Sequence, residues 1–215
     1  STGAFRAGIA DNTNWDTDSL GYYSFASGNN TKATGYSSTA MGYQTEATGS
    51  SSTAMGDYTN ATGNYSTAMG IFTDAIGSYS TAMGIGTNAT GTSSTAMGDY
   101  TNAIGISSTA MGRSTNASGT SSTAMGDYTT ASGYSSTAIG TYNVGGGDPT
   151  TWVATDPLFE IGNGTFSAKN NAFTILKNGN VGINTAPSTN YQLYNNVPST
   201  STADYAQINY FYRDN

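Results

Sequence analysis

The chain has 215 residues, a net charge of −7 and a pI near 4.1, with hydrophobic residues at 36% and charged residues at only 9%. Ordinary globular chains are nearer half apolar and a quarter charged, so one large conventional core is not expected; the acidic balance excludes a nucleic-acid binder, which needs basic patches to neutralise phosphates. The chain has no cysteine and no histidine, which removes disulfides, thiolate or imidazole metal sites and the common nucleophile–base pairs.

No cofactor and no metal site is expected from such a composition, and the chain does not read as an enzyme. No apolar run approaches the roughly 18–20 residues of a membrane span, so this segment is not expected to insert into a membrane. The first residues, Ser1-Thr2-Gly3-Ala4-Phe5-Arg6, do not read as a signal peptide.

Residues 1–20 read as an irregular lead-in carrying Trp15, Asp16 and Asp18. From Gly21 to Gly140 glycine then falls on every seventh residue. Methionine falls on every fourteenth, at Met41, Met55, Met69, Met83, Met97, Met111 and Met125, and these are all 7 methionines of the chain. A long fixed period means one small supersecondary unit stacked many times. A heptad helix is excluded, because glycine at every turn is costly in a helix and only one apolar position recurs. Seven residues instead read as about five of strand and two of turn. Two such halves make a fourteen-residue coil, and coils stacked as parallel strands about 4.8 Å apart give about eight and a half coils over 21–141, a rod roughly 40 Å long.

Side chains of a strand alternate faces. In Ser38-Thr39-Ala40-Met41-Gly42, Ser38, Ala40 and Gly42 therefore share one face and Thr39 and Met41 the other. The face of small residues is expected inside the coil, with glycines tolerating positive φ at the turns and Ser/Thr hydroxyls bonding the turn backbone. The other face of one half-coil is then a ladder of Thr and Met, closed by Thr137 and Ile139. The second half points outward polar pairs such as Glu46/Thr48 and Asn60/Thr62, interrupted by Ile76 and Ile104. A methionine ladder on a lone rod would be an exposed apolar stripe. Burying it contributes about 1.5–3 kcal/mol per side chain, on the order of 10–20 kcal/mol per chain as an upper bound. An oligomer with these faces turned to a common axis is expected, with Met41, Met55, Met69, Met83, Met97, Met111, Met125 and Ile139 at its interface.

The tract Gly145-Gly146-Gly147-Asp148-Pro149 ends the period, and 142–155 reads as a Gly/Pro linker. Within 156–215, strands are expected at 172–177 and 180–184, joined by a type I′ turn at Asn178-Gly179. The tail carries Tyr191, Tyr194, Tyr205, Tyr210, Phe211 and Tyr212. A hairpin of this size is marginal alone, so 156–215 is read as a β-hairpin and trimerisation region in which interleaved chains bury the aromatics.

The half-units Ser38-Thr39-Ala40-Met41-Gly42, Ser52-Thr53-Ala54-Met55-Gly56 and Thr59-Asn60-Ala61-Thr62-Gly63 resemble the YadA-type head of trimeric autotransporter adhesins. The resemblance holds over many consecutive units and implies an all-β fold, a left-handed parallel β-roll of 14-residue coils forming a homotrimer, with the methionine positions at the axis. It implies an extracellular setting (a cell surface, a secreted filament, or a virion or injection-system tail) and attachment to a glycan or surface-protein receptor. The segments 156–164 and 171–183 resemble the region after such repeats in bacterial surface proteins and phage tail-fibre-like proteins, which often precedes an endosialidase-type intramolecular chaperone.

Among acidic residues, Asp57, Asp99 and Asp127 occupy equivalent turn positions three and two coils apart, too far for a retaining carboxylate pair. Tyr58, Tyr100 and Tyr128, together with Tyr65 and Tyr79, sit beside turns, where aromatic side chains on a rigid rod suit ligand recognition. Tyr58, Tyr100 and Tyr128 are the candidate ligand-facing residues. Two other readings remain beside the adhesin or fibre module. One is an ice-binding β-solenoid built on the threonine ladder from Thr39 to Thr137. The other is a polysaccharide-degrading tail-fibre segment with carboxylates in grooves between chains.

Overall fold

The computed structural model describes residues 2–11, 15, 20–187 and 193–195; the predicted burial of Tyr191, Tyr205, Tyr210, Phe211 and Tyr212 lies outside them, as does that of the Tyr194 side chain. The described residues form a parallel β-solenoid of two sheets and no α-helix. One sheet has 14 strands and the other 8. Each fourteen-residue coil contributes a five-residue strand to the first, such as Thr39–Tyr43, and a two-residue strand to the second, such as Glu46–Ala47. The coil is thus less even than the sequence implies: only one half is mostly strand. Register is kept from coil to coil, so Thr81, Ala82, Met83 and Gly84 lie beside Thr95, Ala96, Met97 and Gly98.

The interior is two rows of alanine and two of hydroxyl residues. Among the described residues, seventeen alanines from Ala26 to Ala138 form the hydrophobic core, none more than 2% exposed. Ser24 to Ser136 and Thr31 to Thr129 complete it. Such a core is one methyl deep, and its strength lies in backbone hydrogen bonds and contact rather than in large apolar side chains. Part of the serine row bonds the turn as anticipated: Ser38 Oγ donates to Gly35 O at 2.8 Å and Ser66 Oγ to Gly63 O at 2.6 Å. The buried threonine hydroxyls, by contrast, have no hydrogen-bond partner among the described residues.

The glycines act differently from the expectation. The turn residue with positive φ is the second one after each glycine, from Tyr23 to Tyr142, and it is glycine only at Gly86. Its left-handed cost is offset by a ladder of its own, as Tyr58 N–H donates to Tyr43 C=O at 3.0 Å and Ser51 N–H to Tyr36 C=O at 2.7 Å. The repeat glycines are required for closeness. A Cβ on Gly112 would run into the carbonyl oxygen of Gly126, and one on Gly49 into that of Gly63. Those of the long strands also take positive φ within the strand, as at Gly112 (121°).

Both ends of the solenoid are closed by residues that break the period. At the N-terminal end Phe5–Ile9 pairs parallel with Phe25–Asn29 and puts Arg6 beside Ala26, in the alanine row. The Arg6 guanidinium donates to Ser24 Oγ at 3.0 Å and to Ala33 O at 3.0 Å, and Trp15 Nε1 donates to Thr31 O at 3.0 Å. The two carbonyls lie at the start of the short-strand sheet, where Ala33 O also accepts from the Gly21 N–H at 3.1 Å. At the other end Pro157–Asn163 pairs parallel with Thr137–Thr141 and puts Glu160 beside Ala138. The side-chain amide of Asn143 there stands in for a strand: Thr130 N–H donates to its Oδ1 at 2.7 Å and its Nδ2 donates to Thr130 O at 2.8 Å. Glu160 holds that amide, accepting from Asn143 Nδ2 at 2.5 Å and from Asn171 Nδ2 at 2.6 Å.

The glycine-rich tract folds back on the last coils, where Tyr134 N–H donates to Asp148 C=O at 2.7 Å and Thr120 N–H to Pro149 C=O at 2.8 Å. Asn171–Leu176 and Val181–Ile183 form the expected antiparallel hairpin. Its turn is not type I′, which needs positive φ at both central residues. Only Gly179 has it (89°), after a turn closed by Gly179 N–H to Leu176 C=O at 2.9 Å. That is the three-residue hairpin loop with a glycine after the turn.

Candidate functional site

The outer face of the 14-stranded sheet carries the methionines. In-register pairing aligns Met41, Met55, Met69 and Met83 in one row, and Met97, Met111, Met125 and Ile139 continue it. Every methionine of the row is half-buried by its neighbours within the chain, while the interior is filled by other residues. The methionines therefore do not form the chain's own core.

The row does not stop where the period stops. Ile139 lies beside Ile161, Ile161 beside Phe173 and Phe173 beside Ile183. The adjacent threonine row is likewise extended by Phe159, Ile175 and Val181. At the opposite end it runs into Phe25 and Phe5, whose rings stack at 5.1 Å. The face is thus a strip of Thr, Met, Ile, Val and Phe, with Ser27 and Ala7 in the methionine row at its N-terminal end, and it has no charged side chain from Thr39 to Ile139. Sequence reading missed the extension because it followed the count. Gly8 precedes Gly28 by 20 residues and Gly162 follows Gly140 by 22, where three half-units would be 21. The signal that survives is the strand itself: Phe159-Glu160-Ile161-Gly162 keeps glycine after an aliphatic residue, as Thr137-Ala138-Ile139-Gly140 does.

Two turn edges flank this face. The edge after each long strand carries Tyr43, Asp57, Ile71, Ile85, Asp99, Arg113 and Asp127 in register, with Tyr58, Phe72, Tyr100 and Tyr128 next to them. Tyr58 lies between Tyr43 (ring centroids 5.4 Å apart) and Phe72 (5.1 Å, stacked) and is 38% exposed. Its phenol is pushed up, first by the hydrogen bond with Tyr43. Tyr128 lies between Tyr142 (4.6 Å, stacked) and the Arg113 guanidinium (5.3 Å) and is 36% exposed. Tyr100 is 62% exposed, has no ring partner among the described residues and lies over Gly86, where any side chain would strike its ring. The three tyrosines thus differ. Tyr58 and Tyr128 staple neighbouring coils, and only Tyr100 keeps a largely open ring.

The acidic residues of this edge do not converge. Asp127 is held by Arg113 through contacts of 2.6 and 2.7 Å, which keep its carboxyl below the ordinary value and the guanidinium above its own. Asp57 and Asp99 are separated by the Ile71 and Ile85 rungs. Among the described residues no cluster of three His, Cys, Asp or Glu side chains could hold a metal ion. A hollow of about 200 Å³ opens over Glu160, Asn171 and Thr174, but the Glu160 carboxylate in it is already engaged by Asn143, Asn171 and the Gly145 N–H. That hollow belongs to the cap.

A family model described as the YadA head domain repeat matches residues 19–45, 47–72, 75–101, 103–129 and 117–143. No curated protein matches the chain.

Proposed function

The chain belongs to the family of YadA head repeats, an adhesin-type structural module, and from that premise we propose that it is a homotrimeric extracellular fibre module that presents a rigid rod for attachment to a cell or surface ligand. The observation that carries the reading is the charge-free Thr/Met strip running along the outside of the long sheet. An apolar strip of this length is stable in water only when covered, and closed cyclic symmetry lets identical strips cover one another. Met41, Met55, Met69, Met83, Met97, Met111, Met125 and Ile139 line the axis in this reading. Phe159, Ile161, Phe173 and Ile175 extend it, giving the C-terminal cap a share in assembly. The receptor, a glycan or a surface protein, docks along the turn edges where they border the grooves between copies, and Tyr100 is the best-placed contact because its ring is not already stacked.

Sedimentation velocity and light scattering test the assembly. A particle of three times the 22.0 kDa chain is expected, together with its loss in Met83→Asp/Met97→Asp. A stable folded species of one chain overturns the reading. Binding to a glycan array by the trimer, weakened at least tenfold in Tyr100→Ala, is the expected result for the receptor contact. Undiminished binding by that variant removes Tyr100 from it.

A further inference from the structure

The charged side chains of the repeat are unevenly distributed. Lys32, Glu46 and Asp74 lie on the outer face of the short sheet, and Asp57, Asp99, Arg113 and Asp127 on the edge after the long strands. The opposite edge, which follows the short strands, has no charge at any of its leading turn positions, from Tyr22 and Tyr23 through Asn64, Tyr65, Ser78 and Tyr79 to Tyr134 and Ser135. Each edge also carries apolar groups. Tyr128 stacks on Tyr142 towards the C-terminal end of the charged edge, and Tyr23 packs edge-on against Tyr36 towards the N-terminal end of the uncharged one. Between them lie two further clusters: on the charged edge Ile71, Phe72 and Ile85, all exposed, in the interval between Asp57 and Asp99, and on the uncharged edge Tyr65 and Tyr79, both exposed and stacked on each other at 5.1 Å.

The two clusters sit at one height. Phe72 falls midway between Tyr65 and Tyr79 along the chain, and each half-coil climbs about half of the roughly 4.8 Å rung spacing. Phe72 is therefore within about 2–3 Å, along the rod, of both tyrosines, though it stands on the other edge of the same coil. A chain cannot bring its own two edges together, because the sheets lie between them.

We infer that these clusters are the two halves of a contact between copies of this chain, with Ile71, Phe72 and Ile85 of one copy packed on Tyr65 and Tyr79 of the next. The inference rests on the trimer reading above. A threefold axis along the rod puts each residue at the same height in all copies, and it brings unlike edges of neighbours together, a head-to-tail contact that closes as a ring. The Thr/Met strips then set the axis, and the edge clusters set the rotation of each copy about its own rod. The edge residues differ from coil to coil, so the seam also fixes axial register, which a strip of identical methionine rungs spaced about 4.8 Å apart leaves free to slip by one coil.

The absence of native cysteine makes the test clean. The variant Phe72→Cys/Tyr79→Cys is treated with a short bismaleimide at high dilution. A covalent closed trimer on a denaturing gel is expected, with each single variant giving uncrosslinked chains. In parallel, Met83→Cys reports the axis, and light scattering reports the particle. A trimer by scattering, crosslinked through Met83→Cys while the edge pair stays uncrosslinked, overturns the seam and leaves the axis standing. A monomer by scattering, with neither variant crosslinked, overturns the trimer reading itself.

Discussion

Between the repeated coils and the two rungs that end them, the sheet is continuous but the inside changes. In the coils every position two before a long-strand glycine is alanine, and the interior is closed by methyl contacts. In the terminal rungs the same row holds Arg6 and Glu160, and the interior is closed by directed hydrogen bonds to Ala33 O and from Asn143. A coil always has a like coil on each side to satisfy its backbone, whereas an end rung has a like coil on one side alone, so polar groups left at the end of the solenoid are met by side chains. The outer face shows no such change, because Ile161 and Phe173 continue the methionine row into the cap. Inside and outside thus answer to different demands: one to stacking, the other to a surface that covers the rod from end to end.

The largest effect separates glycines of the two regions. Gly112→Ala places a Cβ against the backbone of the next coil at a positive φ, and a loss of more than about 3 kcal/mol, or no folded rod, is expected by thermal denaturation. Gly179→Ala, in the cap hairpin, meets nothing within 4 Å but keeps the positive φ, so about 1 kcal/mol is expected. Equal losses would mean that the coils do not pack as closely as the geometry implies.

Next is the cap. Glu160→Ala supplies the residue the repeat would have had, yet it takes the shared acceptor from Asn143, Asn171 and the Gly145 N–H, leaving the two amides with Thr130 O and Thr174 Oγ1. A loss of about 3 kcal/mol is expected, with faster amide exchange confined to the last coils near Thr130 and Ala131. Exchange that speeds up uniformly along the rod would mean that the solenoid unfolds as one unit and has no separate cap.

A smaller effect distinguishes stapling from open rings. Tyr128→Ala removes one stacked pair and one cation–π contact and is expected to cost about 1–2 kcal/mol. Tyr100→Ala should stay within about 0.5 kcal/mol. A reversed order in their melting temperatures would undo the assignment of roles.

The smallest is a pH effect in the loop that closes the last coil. Hydrogen bonds from the Thr150 and Thr151 backbone hold the Asp148 carboxyl down to about 2, against 3.8 for a free aspartate. A folded value below the unfolded one stabilises the protein above pH 3.8, and that contribution is lost as pH falls towards 2. The wild type should lose loop protection over this interval, and Asp148→Asn should show a flatter profile there. Identical profiles would remove Asp148 from the account.

The fold of the coils was legible because a fixed period states it directly: alanine two before each glycine and a β-strand alternation leave only one face for methionine. Residues at turns could not be ranked in the same way. Tyr58, Tyr100 and Tyr128 occupy equivalent places in the repeat, and what distinguishes them is the neighbour one coil away: Phe72 beside Tyr58, Gly86 under Tyr100, Arg113 and Tyr142 around Tyr128.

By itself the sequence determined the fourteen-residue coil, its interior rows and the outward methionines, since local alternation and the stacking of like on like need no distant partner. Only the tertiary structure decided how the rod ends. Arg6, Asn143 and Glu160 gain their roles from carbonyls and amides far along the chain that no period brings to notice. It also decided that the outer strip outruns the repeat, because strands whose spacing breaks the count still align when their backbones pair.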